Sequence, residues 1–228
     1  RKGYYLMAVG FAGTLLNQFL KLWFRIPRPW VLDPEFTIVE KARAAATGYS
    51  FPSGHSTSAV GTFGSLAAAT RYSGMRLLCI AVAVLVPVSR MYLGVHTPMD
   101  VLVGSGLALL LVFLLRPMLG QKGEGIMRTA LIATLLLALG LLFFVERFPF
   151  PENMDPHNLE SGTKNAYTMI GCLTGVAVVY VAERKYVDFT TEAVWWAQLL
   201  KIVLGLGVVL LVKEGMCAPL EWILGDPL

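Results

Sequence analysis

With 228 residues the chain is long enough for one or two soluble domains, yet 56% of it is apolar, only 15% is charged and the formal net charge is +4. That balance excludes an ordinary soluble enzyme and belongs to an integral membrane protein, so a lipid bilayer is the expected partner and no nucleic acid is. The cysteines Cys79, Cys172 and Cys217 lie in or beside apolar segments with no CxxC or Cys/His spacing, which suits small core residues rather than metal ligands or a disulfide framework.

The chain opens on Arg1 and Lys2 rather than Met and runs straight into a segment too long and too aromatic for a signal peptide, so the natural N-terminus is expected upstream. Apolar segments follow at residues 3–24, 57–70, 76–88, 99–116, 128–145, 166–182 and 195–212, and each crosses or nearly crosses a hydrocarbon core of about 30 Å. The predicted fold is therefore all-α, a polytopic membrane helix bundle of about seven transmembrane helices. The second and third segments are short and rich in small residues such as Gly61, Gly64, Ala67, Ala68 and Ala69, as expected of helices packed against other helices.

Two longer connections stand out, residues 25–56 and 147–165. With seven spans, alternation puts both on the same side as Ser89–Pro98. The opposite side carries Arg1, Lys2, Arg71, Arg76, Arg116, Lys122, Arg128, Arg184, Lys185 and Lys201 against Glu124, Glu183, Asp188 and Glu192. By the positive-inside rule that basic face is cytoplasmic. The protein is thus expected in a plasma or inner membrane, with the two long connections facing periplasm, exterior or lumen.

Three polar clusters gather on that outward face. In Lys21–Pro29 (KLWFRIPRP), Lys21 and Arg25 are four apart on a helix end and share a face, while Pro27 and Pro29 leave Arg28 on extended chain. Such cations either converge on an anion or snorkel toward headgroups, and Arg25 fits the second role better. The stretch Tyr49–Ser56 (YSFPSGHS) closes a polar loop and opens a helix, so free N–H groups point outward as a ready anion site. There Gly54 permits close approach, Ser53 can donate its hydroxyl and His55 can exchange protons; the alternative is a plain Ser N-cap with an incidental histidine. In Ser89–Asp100 (SRMYLGVHTPMD), Arg90 ends one apolar helix and His96 precedes the next. Asp100 either closes a capping box with Thr97 or orients His96 as a nucleophile. The third histidine, His157, reads as a solvated loop residue.

Lys21 with six residues to Arg28–Pro29, then Pro52-Ser53-Gly54-His55, then Ser89–Arg90 with five residues to His96 and three more to Asp100, resembles the three-part signature of the type 2 phosphatidic acid phosphatase superfamily. These are integral-membrane lipid phosphate phosphatases related to vanadium haloperoxidases and glucose-6-phosphatase. All three parts are present without substitution within residues 21–100. The resemblance implies a metal-independent phosphatase in which His96 is the nucleophile that forms a phosphohistidine and Asp100 orients it. His55 is then general acid and afterwards base, and Lys21, Arg28, Arg90, Ser53 and the amide of Gly54 hold the phosphoryl oxygens. The physical requirements agree, because phosphoryl transfer needs positive charge around the equatorial oxygens and two groups in line, one attacking and one protonating. No acidic cluster on that face is available to hold Mg²⁺ or Zn²⁺, and no cofactor is expected.

Two features depart from that pattern. The first cluster here ends the first helix, where many family members place it at the end of the third, so two N-terminal helices are expected to be missing. Three further helices follow the signature. The expected division is a phosphatase core at 1–118 and a C-terminal three-helix membrane extension at 119–228. The expected function is hydrolysis of a membrane lipid phosphate or diphosphate such as phosphatidic acid, phosphatidylglycerol phosphate or a polyprenyl diphosphate. A soluble phosphate ester, as in glucose-6-phosphatase, is the alternative within enzymes. A lipid-phosphate binder or transporter without turnover is the alternative outside them, although it predicts loss of His96 or Asp100.

Overall fold

A computed structural model describes the chain apart from residues 44, 45, 47, 121, 122, 152, 153, 155, 188–191, 193 and 225–228, and apart from the side chains of Val187 and 217–224. Lys122, Asp188 and the side chain of Cys217 therefore lie outside the described residues. Those described are helical or in connecting loops, and they form two compact units, Arg1–Tyr180 and Val181–Leu228.

In the first unit, α1 (Lys2–Phe24) is followed by two single turns, α2 (Pro29–Leu32) and α3 (Glu40–Arg43), inside the first long connection. Then come α4 (Gly54–Ala69), α5 (Ser73–Tyr92) and α6 (Pro98–Leu115), the last running into a 3₁₀ turn at Arg116–Leu119. Next are α7 (Gly123–Arg147) and α8 (Pro156–Ala182). Helix α1 packs on α4, α6 and α7, and α4 packs on α5 and α6. Two apolar cores lie along α1. One gathers Tyr5, Ala8, Val9 and Ala12 with Leu111, Val112 and Met127; the other gathers Leu15 and Leu22 with Ala138, Leu141, Val145 and Ala166.

Outward faces of these helices carry exposed Leu77, Leu85, Leu102, Leu110, Phe113, Leu136 and Phe143, the arrangement of a bundle dissolved in lipid rather than water. The second unit holds a π-helical turn at Glu183–Val187 and α9 (Trp195–Leu224), whose side chains Leu199, Ile202, Val203, Leu206 and Val209 are exposed.

Among the described residues, five helices are long and apolar enough to cross a membrane: Ser73–Tyr92, Pro98–Leu119, Gly123–Arg147, Pro156–Tyr186 and Trp195–Met216. The protein is thus a helical membrane protein, with fewer self-sufficient spans than the seven expected. The two that fall short have physical reasons. Helix α4 is only 16 residues, about 24 Å of rise against a core of about 30 Å. Helix α1 carries Asn17, Gln18 and Lys21 inside its apolar run. The 147–165 connection is also shorter than expected, because residues 156–165 belong to α8, which begins on Pro156 at a first-turn position that needs no N–H.

The first and second connections share one end of the bundle, as alternation required. Gly48 lies beside Asn158, and Phe19 and Trp23 of α1 stack among Phe144, Phe148 and Phe150.

At that end α6 approaches α4 through Gly104, where an added Cβ would stand 2.7 Å from the Ser53 carbonyl oxygen and 3.0 Å from Thr57 Oγ1. Gly104→Ala must push α6 away from the start of α4, and we expect a cost of about 1–3 kcal/mol, read as a lower thermal midpoint in detergent. An unchanged midpoint would mean that this contact is not close in solution.

Candidate active site

His96 owes its position to two helix-end signals placed back to back. Helix α5 stops in a Schellman motif: Gly94 takes φ +71°, its N–H donates to the Met91 carbonyl at 2.9 Å, and the Val95 N–H donates to the Arg90 carbonyl at 3.2 Å. A Cβ on Gly94 would also strike the Thr37 carbonyl oxygen, so glycine is needed there twice over. Helix α6 starts at once with Thr97 as N-cap and Pro98 in the first turn. His96 is held between the stop and the start, 4% exposed.

Asp100 performs both of the jobs open to it. It closes the capping box, with Thr97 N–H donating to Oδ2 at 2.8 Å and its own N–H donating to Thr97 Oγ1 at 3.3 Å. The same Oδ2 lies 3.4 Å from His96 Nδ1 and accepts the Ser50 hydroxyl at 2.6 Å. Its backbone joins in, since the Asp100 carbonyl accepts the Ser53 N–H at 2.9 Å. One residue thereby locks the Ser50–Ser53 turn to the histidine loop.

On the other side of the ring, Arg28 Nη1 stands 3.0 Å from His96 Nε2. A guanidinium only donates, so Nε2 is the unprotonated nitrogen, its lone pair accepting from Arg28, and the ring proton sits on Nδ1, toward Asp100 and Ser50. Arg28 also donates from Nε to the Gly48 carbonyl and from Nη1 to the Val95 carbonyl, each at 2.9 Å, and is 8% exposed. Burial brings its pKa down to about 10, with the Asp100 carboxylate opposing, so it is a cation throughout the neutral range.

The remaining groups close around a shared space. Lys21, in the last turn of α1, donates to the Tyr49 carbonyl. Arg28, Arg90, His55 and His96 line a cavity of about 230 Å³. Lys21, Arg28, Gly54, His55 and His96 line an adjoining one of about 550 Å³. Arg90 reaches the first of these from the last turn of α5, and His55 from the first turn of α4. Ser53 departs from its expected place: fully buried, it caps α4 through Oγ, which accepts from the Ser56 N–H at 3.4 Å and the Ser56 hydroxyl at 2.9 Å, and it lines neither cavity. Arg25 caps α1 at φ 51° and folds its guanidinium back onto the Leu22 carbonyl at 2.9 Å, outside both cavities. His157 is exposed in the first turn of α8.

Two contributors went unread in the sequence. Asn17 is 3% exposed and donates to the Pro52 carbonyl at 3.3 Å and to Thr57 Oγ1 at 3.1 Å, tying α1 to the Pro52 turn. Its signal was legible: an amide inside an apolar helix, four residues before Lys21 and so on the same face. Ser50 is 1% exposed and lies 3.5 Å from His96 Nδ1 as well as bonding Asp100.

The electrostatics favour a neutral His96. Burial lowers its pKa below the usual histidine range, the Arg28 and Lys21 charges add to that, and the bond to Asp100 opposes it. Among the described residues, no three His, Cys, Asp or Glu side chains gather where they could hold a metal ion. The arrangement is two imidazoles, two guanidinium groups and a lysine amine around two adjoining cavities.

The profile of the PAP2 superfamily matches residues 2–124, which span all of these groups. The chain belongs to the PAP2 superfamily. A second profile, described as the transmembrane extension of PAP2 superfamily phosphatases, matches residues 167–224. Among its relatives, phosphatidylglycerophosphatase B of Bacillus subtilis (strain 168) is 35% identical over 111 residues, covering 45% of this chain and 50% of that protein. Undecaprenyl-diphosphatase BcrC of the same organism is 32% identical over 105 residues, covering 46% of this chain and 51% of that protein. The chain thus spans about half the length of the curated relatives it matches. No solved structure matches it.

Ser50 provides a test of the PAP2 site as drawn. Its hydroxyl drains charge from Asp100 Oδ2, so Ser50→Ala leaves a more basic carboxylate that favours the imidazolium of His96. The His96 pKa rises, and the neutral nucleophile is lost at a higher pH on acidification. We expect kcat to fall about tenfold, the scale of one hydrogen bond to a charged group, and the acid limb of the kcat/KM profile to move to higher pH. A loss of rate with an unmoved acid limb would reduce Ser50 to a packing role.

Proposed function

We propose that the protein is a metal-independent phosphatase for lipid phosphates or diphosphates, working through a phosphohistidine on His96. The observation that carries this reading is that His96, whose Nε2 accepts from Arg28, lines one cavity with His55 and Arg90; a phosphoryl oxygen that takes over the Arg28 N–H releases the Nε2 lone pair for attack. Nε2 attacks phosphorus while the bond to the leaving oxygen breaks, and His55 protonates that oxygen. His55 then takes a proton from water, whose oxygen attacks the phosphohistidine; His96 is released and inorganic phosphate leaves. Lys21, Arg28 and Arg90 stabilise the charge spread over the equatorial oxygens, with the amide of Gly54 at the α4 N-terminus. Ser53 holds the turn that presents that amide.

A phosphate anion bound among Lys21, Arg28 and Arg90 offsets their positive field, which favours a protonated His55 when substrate arrives.

The names of the two relatives, a phosphatidylglycerophosphatase and an undecaprenyl-diphosphatase, support a lipid substrate over a soluble ester. In this reading residues 1–118 carry the chemistry, residues 119–228 are a membrane extension, and seven helices cross the bilayer with α1 and α4 sheltered by their neighbours. The basic loops opposite the site put it on the extracytoplasmic face. The deciding experiment is phosphate release by purified protein across lipid and sugar phosphates, with and without EDTA. Turnover of lipid phosphates in EDTA with inhibition by vanadate is expected; strict Mg²⁺ dependence, or turnover of sugar phosphates alone, contradicts the reading.

A further inference from the structure

The larger cavity does not end at the phosphate groups. It continues along the bundle as a groove on α4, walled by α1 and reaching Val86 of α5. Two polar stripes descend into it from the site residues. On α1, Gln18 and Thr14 lie three and seven positions before Lys21; on α4, Ser58 and Thr62 lie three and seven positions after His55. Because α1 ends at the site and α4 begins there, both stripes run the same way, for about 10 Å. The apolar side chains of Ala59, Phe63 and Val86 make up the rest of the groove lining beside these stripes.

These four side chains behave differently from other polar groups in the bundle. The hydroxyls of Thr57, Ser65, Thr134, Thr163 and Thr168 donate to carbonyls of their own helix four residues back. The side chains of Thr14, Gln18, Ser58 and Thr62 bond to no other described residue and line the groove. Unpartnered polar groups at membrane depth are costly unless something polar meets them.

Resting on the phosphatase reading above, we infer that this groove selects a glycerol-based lipid phosphate, and that Gln18 and Thr62 are specificity-determining residues. In such a lipid the carbons next to the phosphate bear hydroxyl or ester oxygens, which lie at the depth of the two stripes, and the acyl chains continue past Phe63. A polyprenyl phosphate presents bare hydrocarbon at that depth and leaves all four groups desolvated without partners.

The test compares the full-length chain with the double variant Gln18→Leu/Thr62→Val in detergent micelles. Its substrates are phosphatidic acid, a polyprenyl monophosphate and the soluble ester 4-nitrophenyl phosphate. The wild type should favour phosphatidic acid over the prenyl phosphate by about tenfold or more in kcat/KM, the scale of one or two satisfied polar groups. The variant should lose about tenfold on phosphatidic acid through KM, close that gap, and keep its rate on 4-nitrophenyl phosphate. Equal use of both lipids by the wild type overturns the inference, as does a parallel loss on all three substrates in the variant. Absence of phosphate release from every substrate, the aryl ester included, removes the phosphatase reading itself and the inference with it.

Discussion

His96→Ala should release no phosphate from any substrate, whereas His55→Ala should fail selectively. Nε2 of His96 is the unprotonated ring nitrogen, since it accepts from Arg28, and of the two imidazoles lining the cavities only His96 is oriented by a carboxylate, that of Asp100. Removing His96 deletes the covalent route, and we expect a loss on the order of 10⁴-fold or more, the scale seen when a covalent triad is broken. His55 supplies a proton instead of a bond, so its loss costs about 10²- to 10⁴-fold for an alkoxide leaving group. With a diphosphate or an activated aryl phosphate that proton is hardly needed. His55→Ala should then recover most of its first step and accumulate phosphoenzyme, while His96→Ala recovers nothing. Equal sensitivity of the two variants to leaving group would show that the roles are assigned wrongly.

Arg28 should be nearly as intolerant, and intolerant of lysine. Its guanidinium makes three contacts in different directions, to the Gly48 carbonyl, the Val95 carbonyl and His96 Nε2. An ammonium on a flexible stem keeps the charge but cannot span that fork. We expect Arg28→Lys and Arg28→Ala each to lower kcat/KM by about 10²- to 10³-fold, since removing one preorganised charge-stabilising donor already costs this much. Both should also weaken vanadate inhibition, because the cation beside the transition state is displaced or gone. An Arg28→Lys protein with near wild-type turnover would mean that Arg28 supplies charge alone.

Much of the site was legible in the sequence because its residues sit at helix ends, and helix ends are written in local chemistry. Gly94 after Arg90, then Thr97-Pro98 before Asp100, fixes a stop and a start around His96 without reference to anything distant. The two possible jobs of Asp100 could not be separated locally, and the structure shows why no separation was needed: Oδ2 serves the cap and the imidazole together. Ser53 was the reverse case. A serine at an N-cap can cap and still donate its own O–H, and the structure shows the buried Ser53 Oγ accepting at the cap.

What the sequence hid depends on long-range packing. Ser50 meets Asp100 across 50 positions and Asn17 meets Pro52 across 35, and no periodicity records such pairs. Apolar length alone did not separate α4 from the self-sufficient spans, because α4 buries Ser56, Thr57 and Ser65 among neighbouring helices and needs less hydrocarbon of its own. The turn into α8 was placed ten residues late, since Asn158, Glu160 and Lys164 lower the hydropathy of a stretch that is nonetheless helical.

The most direct measurement is a rapid acid-free quench of the full chain turning over a radiolabelled phosphate ester, followed by peptide mapping. The account predicts a label that survives alkali, is lost in acid as a phosphoramidate is, and maps to the tryptic peptide 91–122, which contains His96 as its single histidine. The label should build up further in His55→Ala and be absent from His96→Ala. A label on any other residue, or steady turnover with no covalent phosphate in His55→Ala on an activated ester, would contradict it.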